Sequence, residues 1–304
     1  MVQPAGPARA LWACALSAML LTLALVAGGC ERRSEAAAPV ADAPAARIVA
    51  TAGFGAEPLL DGRVAPGGSV LDGLRALTPV RTAYGGGFVA EMLERENDEG
   101  SREAWLYWVD GILADRGADQ VRLADEQEAW WDHHHWGGVP DPGAVVGSWP
   151  LPFTRAPAVA ADAPLDGALR DAGATTGGDP DGAWRVIVGS DADLRRRDPA
   201  WAAAAADPAA AGLTATVRGD EVLLLDPAGE ALVPEPRGAA IAVAFPSGAS
   251  PADGVVMAVA GTSPDAAAAA AATIAARPEV LRSRLALAFD AAGEPLRAAG
   301  GTGP

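Results

Sequence analysis

Apolar positions change their period several times along this chain, and each change marks an element. Arg47 to Phe54 reads as a strand, and Leu59-Leu-Asp-Gly-Arg-Val64 carries the Asp-Gly signal of a tight hairpin. After Ser69 the spacing becomes helical: Val70, Leu71, Leu74 and Leu77 form one stripe, Ser69 and Asp72 stand at capping-box positions, and Pro79 ends the run. Strand patterns return at Phe88 to Leu93, Trp105 to Val109, Ile112 to Leu113 and Ala129 to Asp132. A hairpin, a helix and further strands predict an α+β unit over residues 47–150, a β-grasp-like antiparallel sheet with one helix on its face.

The pattern beyond residue 150 differs. Residues 151–183 are rich in Pro, Ala, Gly and Asp, and Thr175-Thr-Gly-Gly-Asp-Pro-Asp-Gly182 reads as linker. Residues 184–304 alternate strands (185–188, 214–217, 222–225, 240–245, 255–260 and 285–289) with helical stretches at 199–211 and 264–276, which predicts a small α/β accessory domain. Val186-Ile-Val-Gly-Ser-Asp191 and Ala258-Val-Ala-Gly-Thr-Ser-Pro-Asp265 look like one strand-turn-helix unit used twice, with Ser263 and Pro264 as a helix start. Neither turn has the glycine spacing of a phosphate loop.

The N-terminus places the protein. Arg9 is the only charged residue before an apolar run from Ala10 to Val26, too short for a confident membrane span and shaped like a secretory signal. It ends in Leu25-Val-Ala-Gly-Gly-Cys30, which resembles a bacterial lipobox with Ala27 where Leu is more usual. Residues 1–29 are therefore expected to be removed and Cys30 lipidated, the one cysteine left once Cys14 is gone. Residues 30–46 are too poor in large apolar groups to pack and read as a tether holding the folded part outside the cell membrane.

Charge narrows the partners. Removing residues 1–29 takes one of the 23 basic residues and none of the 39 acidic ones, so 22 basic face 39 acidic. Such a surface lacks the cationic footprint that nucleic acid requires, and small cations or neutral molecules are easier ligands. All the basic residues are arginine, which with the abundant Ala, Gly and Pro reads as coding bias.

Candidate chemistry gathers where the aromatics do. Six of the nine tryptophans lie between Trp105 and Trp149. Ligand-binding candidates are Trp105, Tyr107, Trp108, Asp110, Trp130, Trp131 and Trp136, with Gly86 and Phe88 from the glycine-rich turn. In a strand Trp105 and Tyr107 face one side and Trp108 the other, and the same alternation separates Trp130 from Trp131. One face is expected to be core and the other free to stack a ligand. His133 and His135 would share a side, but a third ligand is missing, so no metal is assigned, with a solvated or ring-stacking loop as the plainer reading. Asp191 and Asp193 fit a helix start better than a calcium loop. No catalytic constellation is visible: neither a Gly-x-Ser-x-Gly elbow nor a His-Glu-x-x-His helix occurs.

Gly85-Gly-Gly-Phe-Val89, Trp105-Leu-Tyr-Trp-Val-Asp-Gly111 and Ala129-Trp-Trp-Asp132 followed by Trp136 together resemble the transcobalamin-like C-terminal domain family, also called domain of unknown function 4430. The resemblance spans roughly residues 47–150. It implies a corrinoid (cobalamin) ligand held on the aromatic strands, a surface lipoprotein and hand-over to a membrane transporter. Three features depart from the family: Asp110 stands in a Val-Asn-Gly turn, Leu123-Ala-Asp-Glu-Gln-Glu128 replaces an Asp-Gly-Asp approach, and Glu94-Arg-Glu-Asn-Asp-Glu99 follows the first inner strand. Altered loops are where ligand choice resides. The expectation is a non-enzymatic, lipid-anchored binding protein without a cofactor; the rival is a cell-envelope protein-interaction module with no small-molecule ligand.

Overall fold

The computed structural model describes residues 44–137, 141–250 and 253–301, so the expected leader, Cys30 and all but the end of the tether lie outside the described residues. In the first half, β1 (Ala46–Ala52) and β2 (Glu57–Val64) form a hairpin, followed by α1 (Val70–Leu77). A small antiparallel sheet of β3 (Val80–Ala83), β4 (Phe88–Met92) and β5 (Arg95–Glu96) comes next, then β6 (Glu103–Val109), β7 (Ile112–Leu113) and β8 (Glu128–His135). The main sheet runs β2-β1-β8-β6-β7. The α+β combination of sheet and helix is as expected, but the sheet is not wholly antiparallel, since the central β1–β8 pair is parallel.

Local chemistry explains where expectation held and where it failed. The Ser69 hydroxyl accepts from the Asp72 N–H at 3.0 Å, the Asp72 carboxylate accepts from the Ser69 N–H at 3.1 Å, and Val70, Leu71 and Leu74 are buried. The Asp61-Gly62 pair, by contrast, lies inside β2. Asp61 ion-pairs with Arg47, and a Cβ on Gly62 would sit 2.6 Å from Leu77, so glycine is there to let α1 pack down. The hairpin turns instead at Gly53–Ala56, where Gly53, Phe54 and Gly55 all take positive φ.

In the second half the order is β9 (Ala160–Ala161), α2 (Leu165–Asp171), β10 (Arg185–Ser190), α3 (Asp191–Arg197), α4 (Pro199–Ala206), β11 (Ala215–Arg218), β12 (Glu221–Leu225), β13 (Leu232–Pro234), β14 (Ala240–Pro246), β15 (Val255–Gly261), α5 (Pro264–Ala276), β16 (Ala286–Phe289) and β17 (Pro295–Ala298). A mixed sheet, β17-β16-β14-β15-β10-β9, faces a three-stranded one, β11-β12-β13. The two look-alike turns end side by side, because β10 and β15 pair in parallel with Ser190 opposite Gly261. The helix expected over 199–211 stops at Ala206, since Asp207 precedes Pro208 and is pushed out of helical geometry. Residues 151–183 are no free linker: Phe153, Val159, Leu165 and Leu169 are buried, and β9 extends the mixed sheet beside β10.

Alternation along the central strands sorts the core into layers. On β14, Ile241, Val243 and Phe245 point to one side and Ala240, Ala242 and Ala244 to the other, where α2 and α5 pack. On the main sheet, Ile48, Ala50, Trp105, Tyr107 and Trp131 face α1. Val49, Trp108 and Trp130 face the opposite way and share one core with Ile241, Val243 and Trp201 of the second half. The main sheet is thus buried on both faces, and the described residues from Pro44 onward form one compact unit.

Trp130 is fully buried in that shared core, and its indole N–H donates to the Thr51 hydroxyl at 2.8 Å. Trp130→Ala is expected to lower the unfolding free energy by about 3–5 kcal/mol through the cavity and the lost bond. Denaturant unfolding followed by far-ultraviolet circular dichroism and by fluorescence should show one transition moved to a lower midpoint. Two transitions with only one displaced would mean that the halves fold separately.

Candidate ligand-binding groove

The groove is built on the β3–β4 hairpin. Its tip, Tyr84 to Gly87, places three successive residues at positive φ: Tyr84 at 49°, Gly85 at 85° and Gly86 at 114°. Glycine adopts this geometry freely, and Tyr84 follows at some strain. The bent tip leaves the Tyr84 side chain 87% exposed, with its ring edge-on to Phe88 at 5.5 Å. Gly87 anchors the other end. Its carbonyl accepts from the Ala118 N–H at 2.9 Å, and a Cβ there would strike the Asp119 carboxylate.

Among the described residues the exposed large hydrophobic side chains are Tyr84, Phe88 (43%) and Trp136 (41%), and all three border one groove of about 440 Å³. Ala104, Trp105 and Leu106 of β6 lie across from the hairpin, and Glu96, Asp98, Glu99, Glu103 and Asp141 complete the lining. A second lobe of about 700 Å³ shares Tyr84, Phe88, Trp105 and Asp141 and adds Tyr107, Trp131, Arg116 and Asp119. Another cavity, of about 670 Å³, lies against β2, but no aromatic borders it and its Arg81 and Glu91 are paired with each other.

The nine residues expected to bind a ligand divide. Phe88 and Trp136 offer exposed ring area, while Trp105, Tyr107 and Trp131 form walls through small exposed portions. Trp105 donates to the Arg95 carbonyl at 3.0 Å, and Tyr107 donates to the Arg116 carbonyl at 2.6 Å; burial pushes the Tyr107 hydroxyl up to about 12. Trp131 stacks on Tyr107 with ring centroids 4.4 Å apart, and its indole N–H is buried without a partner. Gly86 shapes the tip. Trp108 and Trp130 have no free face, because the second half of the chain covers the side of the sheet expected to be open. Asp110 is also withdrawn: its carboxylate accepts from the Glu128 N–H at 2.8 Å, pairs with Arg155 at 2.9 Å, and locks the turn after β6 onto the start of β8. Burial drives the Asp110 carboxyl upward, opposed by those partners.

The histidine triplet is part of β8, not a loop. Asp132, fully buried, accepts from the Thr51 hydroxyl (2.5 Å), the Phe54 and Gly55 N–H groups (2.9 and 2.8 Å) and His134 Nδ1 (2.7 Å). His134 Nε2 lies 3.8 Å from Asp141, a residue of the groove wall. Burial pulls the His134 pKa down, but hydrogen bonds and charge from Asp132 and Asp141 outweigh it and carry it up to about 9. His133 bonds through Nε2 to the Glu96 carbonyl at 3.1 Å, and burial lowers its pKa. No group of three or more His, Cys, Asp or Glu side chains among the described residues is placed to hold a metal ion.

Sequence reasoning missed Tyr84, Glu99 and Glu103, and the Thr51–Asp132–His134 network. Tyr84 carried a readable signal, an aromatic set directly before three glycines. The network carried none, since Thr51 and Asp132 are 81 positions apart.

A folded pKa near 9 against an ordinary 6.5 means that folding favours the protonated imidazole. Stability from His134 is fully present below pH 6.5 and is lost as pH rises through about 9. Denaturation midpoints measured from pH 6 to 9.5 should fall, and His134→Gln should flatten the fall. A wild-type profile that rises across this window would contradict a charged His134.

Comparison with known proteins finds a family match over part of the chain. Residues 67–135 match the family model described as Domain of unknown function (DUF4430). No curated protein matches the chain. Among solved structures, a candidate metal-binding protein from Ruminococcus gnavus ATCC 29149 is similar at 14% identity, over 31% of this chain and 99% of that one, with a TM-score of 0.27. The family match starts just before the α1 cap and runs through β8, so it takes in both sides of the groove and stops one residue short of Trp136. Residues 67–135 are therefore similar to the DUF4430 family.

Proposed function

We propose that the protein is a non-enzymatic, extracytoplasmic binding protein, anchored by lipid on Cys30, that holds a flat small molecule in the aromatic groove and supports its uptake through a membrane transporter. The observation that carries this reading is the convergence of Tyr84, Phe88 and Trp136 on a single cavity. Scattered exposed aromatics need no explanation, but three around one concave site supply flat apolar area where a ring can stack. The cavity volumes fall in the range of small-molecule sites. Family resemblance makes a corrinoid the first ligand to try. The lipid anchor rests on the Leu25 to Cys30 segment.

The test is calorimetric titration of the purified full chain in detergent with cobalamin and with cobinamide, calorimetry being needed because corrinoids absorb where tryptophan emits. Saturable one-to-one binding is expected. Phe88→Ala and Trp136→Ala should each weaken it roughly tenfold, the effect of losing about 1.5 kcal/mol of buried ring area. Binding that both substitutions leave intact would remove the site from this groove. No heat from either corrinoid would eliminate that ligand and favour the rival, a cell-envelope protein-interaction module.

A further inference from the structure

We infer that the groove selects flat organic cations, an aromatic ring system carrying a fixed positive charge, over neutral and anionic molecules of the same shape. The inference rests on the groove being a binding site and adds the charge of what it takes. Five carboxylates line the 440 Å³ lobe, and no Arg or His lines it. Neighbouring arginines cancel little of this charge. Arg81 is shared between Glu91 and Glu96, and Arg95 is drawn away to Glu57. Asp98, Glu99 and Glu103 make no ion pair among the described residues, and Asp141 has only His134 at 3.8 Å, already held by Asp132.

The ring faces act in the same direction. Phe88, Tyr84 and Trp136 are exposed rings bordering the groove, and the face of an aromatic ring is the negative side of its quadrupole, which attracts a cation lying over it. A neutral ring of equal size gains the apolar contact alone. An anion meets the carboxylates with nothing in this lobe to offset them, and the chain's formal charge of −16 repels it at longer range. An independent observation comes from the second lobe, where the partnerless indole N–H of Trp131 belongs to the wall. Buried donors are rarely left unmatched, and this one lacks a protein partner in a residue that lines the second lobe.

Three probes of one shape test the charge: N-methylquinolinium, quinoline and quinoline-4-carboxylate, titrated calorimetrically at pH 7.5 into the full chain in detergent. N-methylquinolinium should bind at least tenfold more tightly than quinoline at low salt, and the carboxylate more weakly than either. The preference should shrink as ionic strength rises from about 0.01 M to 1 M, where the screening length falls from about 30 Å to about 3 Å. The double variant Glu99→Gln/Glu103→Gln changes two exposed side chains, so the fold is not at risk, and it should cut the cation-to-neutral ratio to threefold or less. Equal binding of quinoline and its N-methyl cation would overturn the charge selectivity while leaving the groove a binding site. A ratio that the double variant does not change would overturn the role of these carboxylates. Failure of all three probes overturns the inference, and the corrinoid titration then judges the binding reading separately.

Discussion

Burial of strand β8 on both faces is the constraint from which the rest of this structure follows. Its odd-numbered residues Ala129 and Trp131 pack toward α1, and Trp130 packs toward the mixed sheet of the second half. A strand so enclosed offers no ring face of Trp130 and only a small part of Trp131, at the wall of the second lobe. Exposed aromatic surface must then come from outside the main sheet, and it does: from the β3–β4 hairpin and from Trp136, the first residue after β8 leaves the pairing. The core is rigid because its large rings interlock, with Trp108 against Trp130 and Tyr107 against Trp131. That rigidity gives the groove a fixed wall on the β6 side.

Enclosure also raises the stakes for polar groups on β8. A carboxylate with no solvent access is tolerable only when its lone pairs are filled and its charge is balanced. Asp132 meets both conditions, taking four hydrogen bonds that include the protonated His134. Two of its donors are the N–H groups of Phe54 and Gly55, so the same carboxylate fixes the β1–β2 turn. Gly55 in turn admits no side chain: a Cβ there would lie 1.9 Å from the Ser283 carbonyl. A chain of contacts thus runs from Asp141 at the groove, through His134 and Asp132, to the turn and on to the second half.

Elements written in local sequence were legible. The capping box, the Val70 to Leu77 stripe, the aromatic strands and the Ser263-Pro264 helix start could each be read from a few neighbouring residues and appear in the structure. Period-two alternation showed that Trp130 and Trp131 face opposite ways, yet it is silent on whether either side is covered, because many of the covering residues, Leu74 on one side and Ile187 and Trp201 on the other, lie more than fifty positions away. The Asp-Gly pair failed for a related reason. A hairpin turn and a glycine making room for a helix look identical in a short window, and only Leu77 distinguishes them. The candidate site was therefore legible in its location and partly in its residues: Phe88 and Trp136 were found, whereas Tyr84 and the carboxylates became visible only once the hairpin was folded beside β6.

The two sides of the groove differ in how firmly they are held, and this bears on which property of a ligand each can judge. On the β6 side, Trp105 is fixed by its bond to the Arg95 carbonyl and Tyr107 by its bond to the Arg116 carbonyl, so the orientation of a stacked ring is set there in advance. On the hairpin side, nothing lies within 4 Å of where side chains at Gly85 or Gly86 would begin, whereas Gly87 is wedged against Gly117 and Asp119. Tyr84 therefore hangs from a tip anchored at Gly87 and unsupported beyond it. Displacing that tip disturbs little core packing, since the one ring it carries, Tyr84, is largely solvent-exposed. If the groove holds a flat ligand as proposed, the packed β6 strand is the side that would set its orientation, and the open tip at Gly85 and Gly86 is the side with room for its thickness.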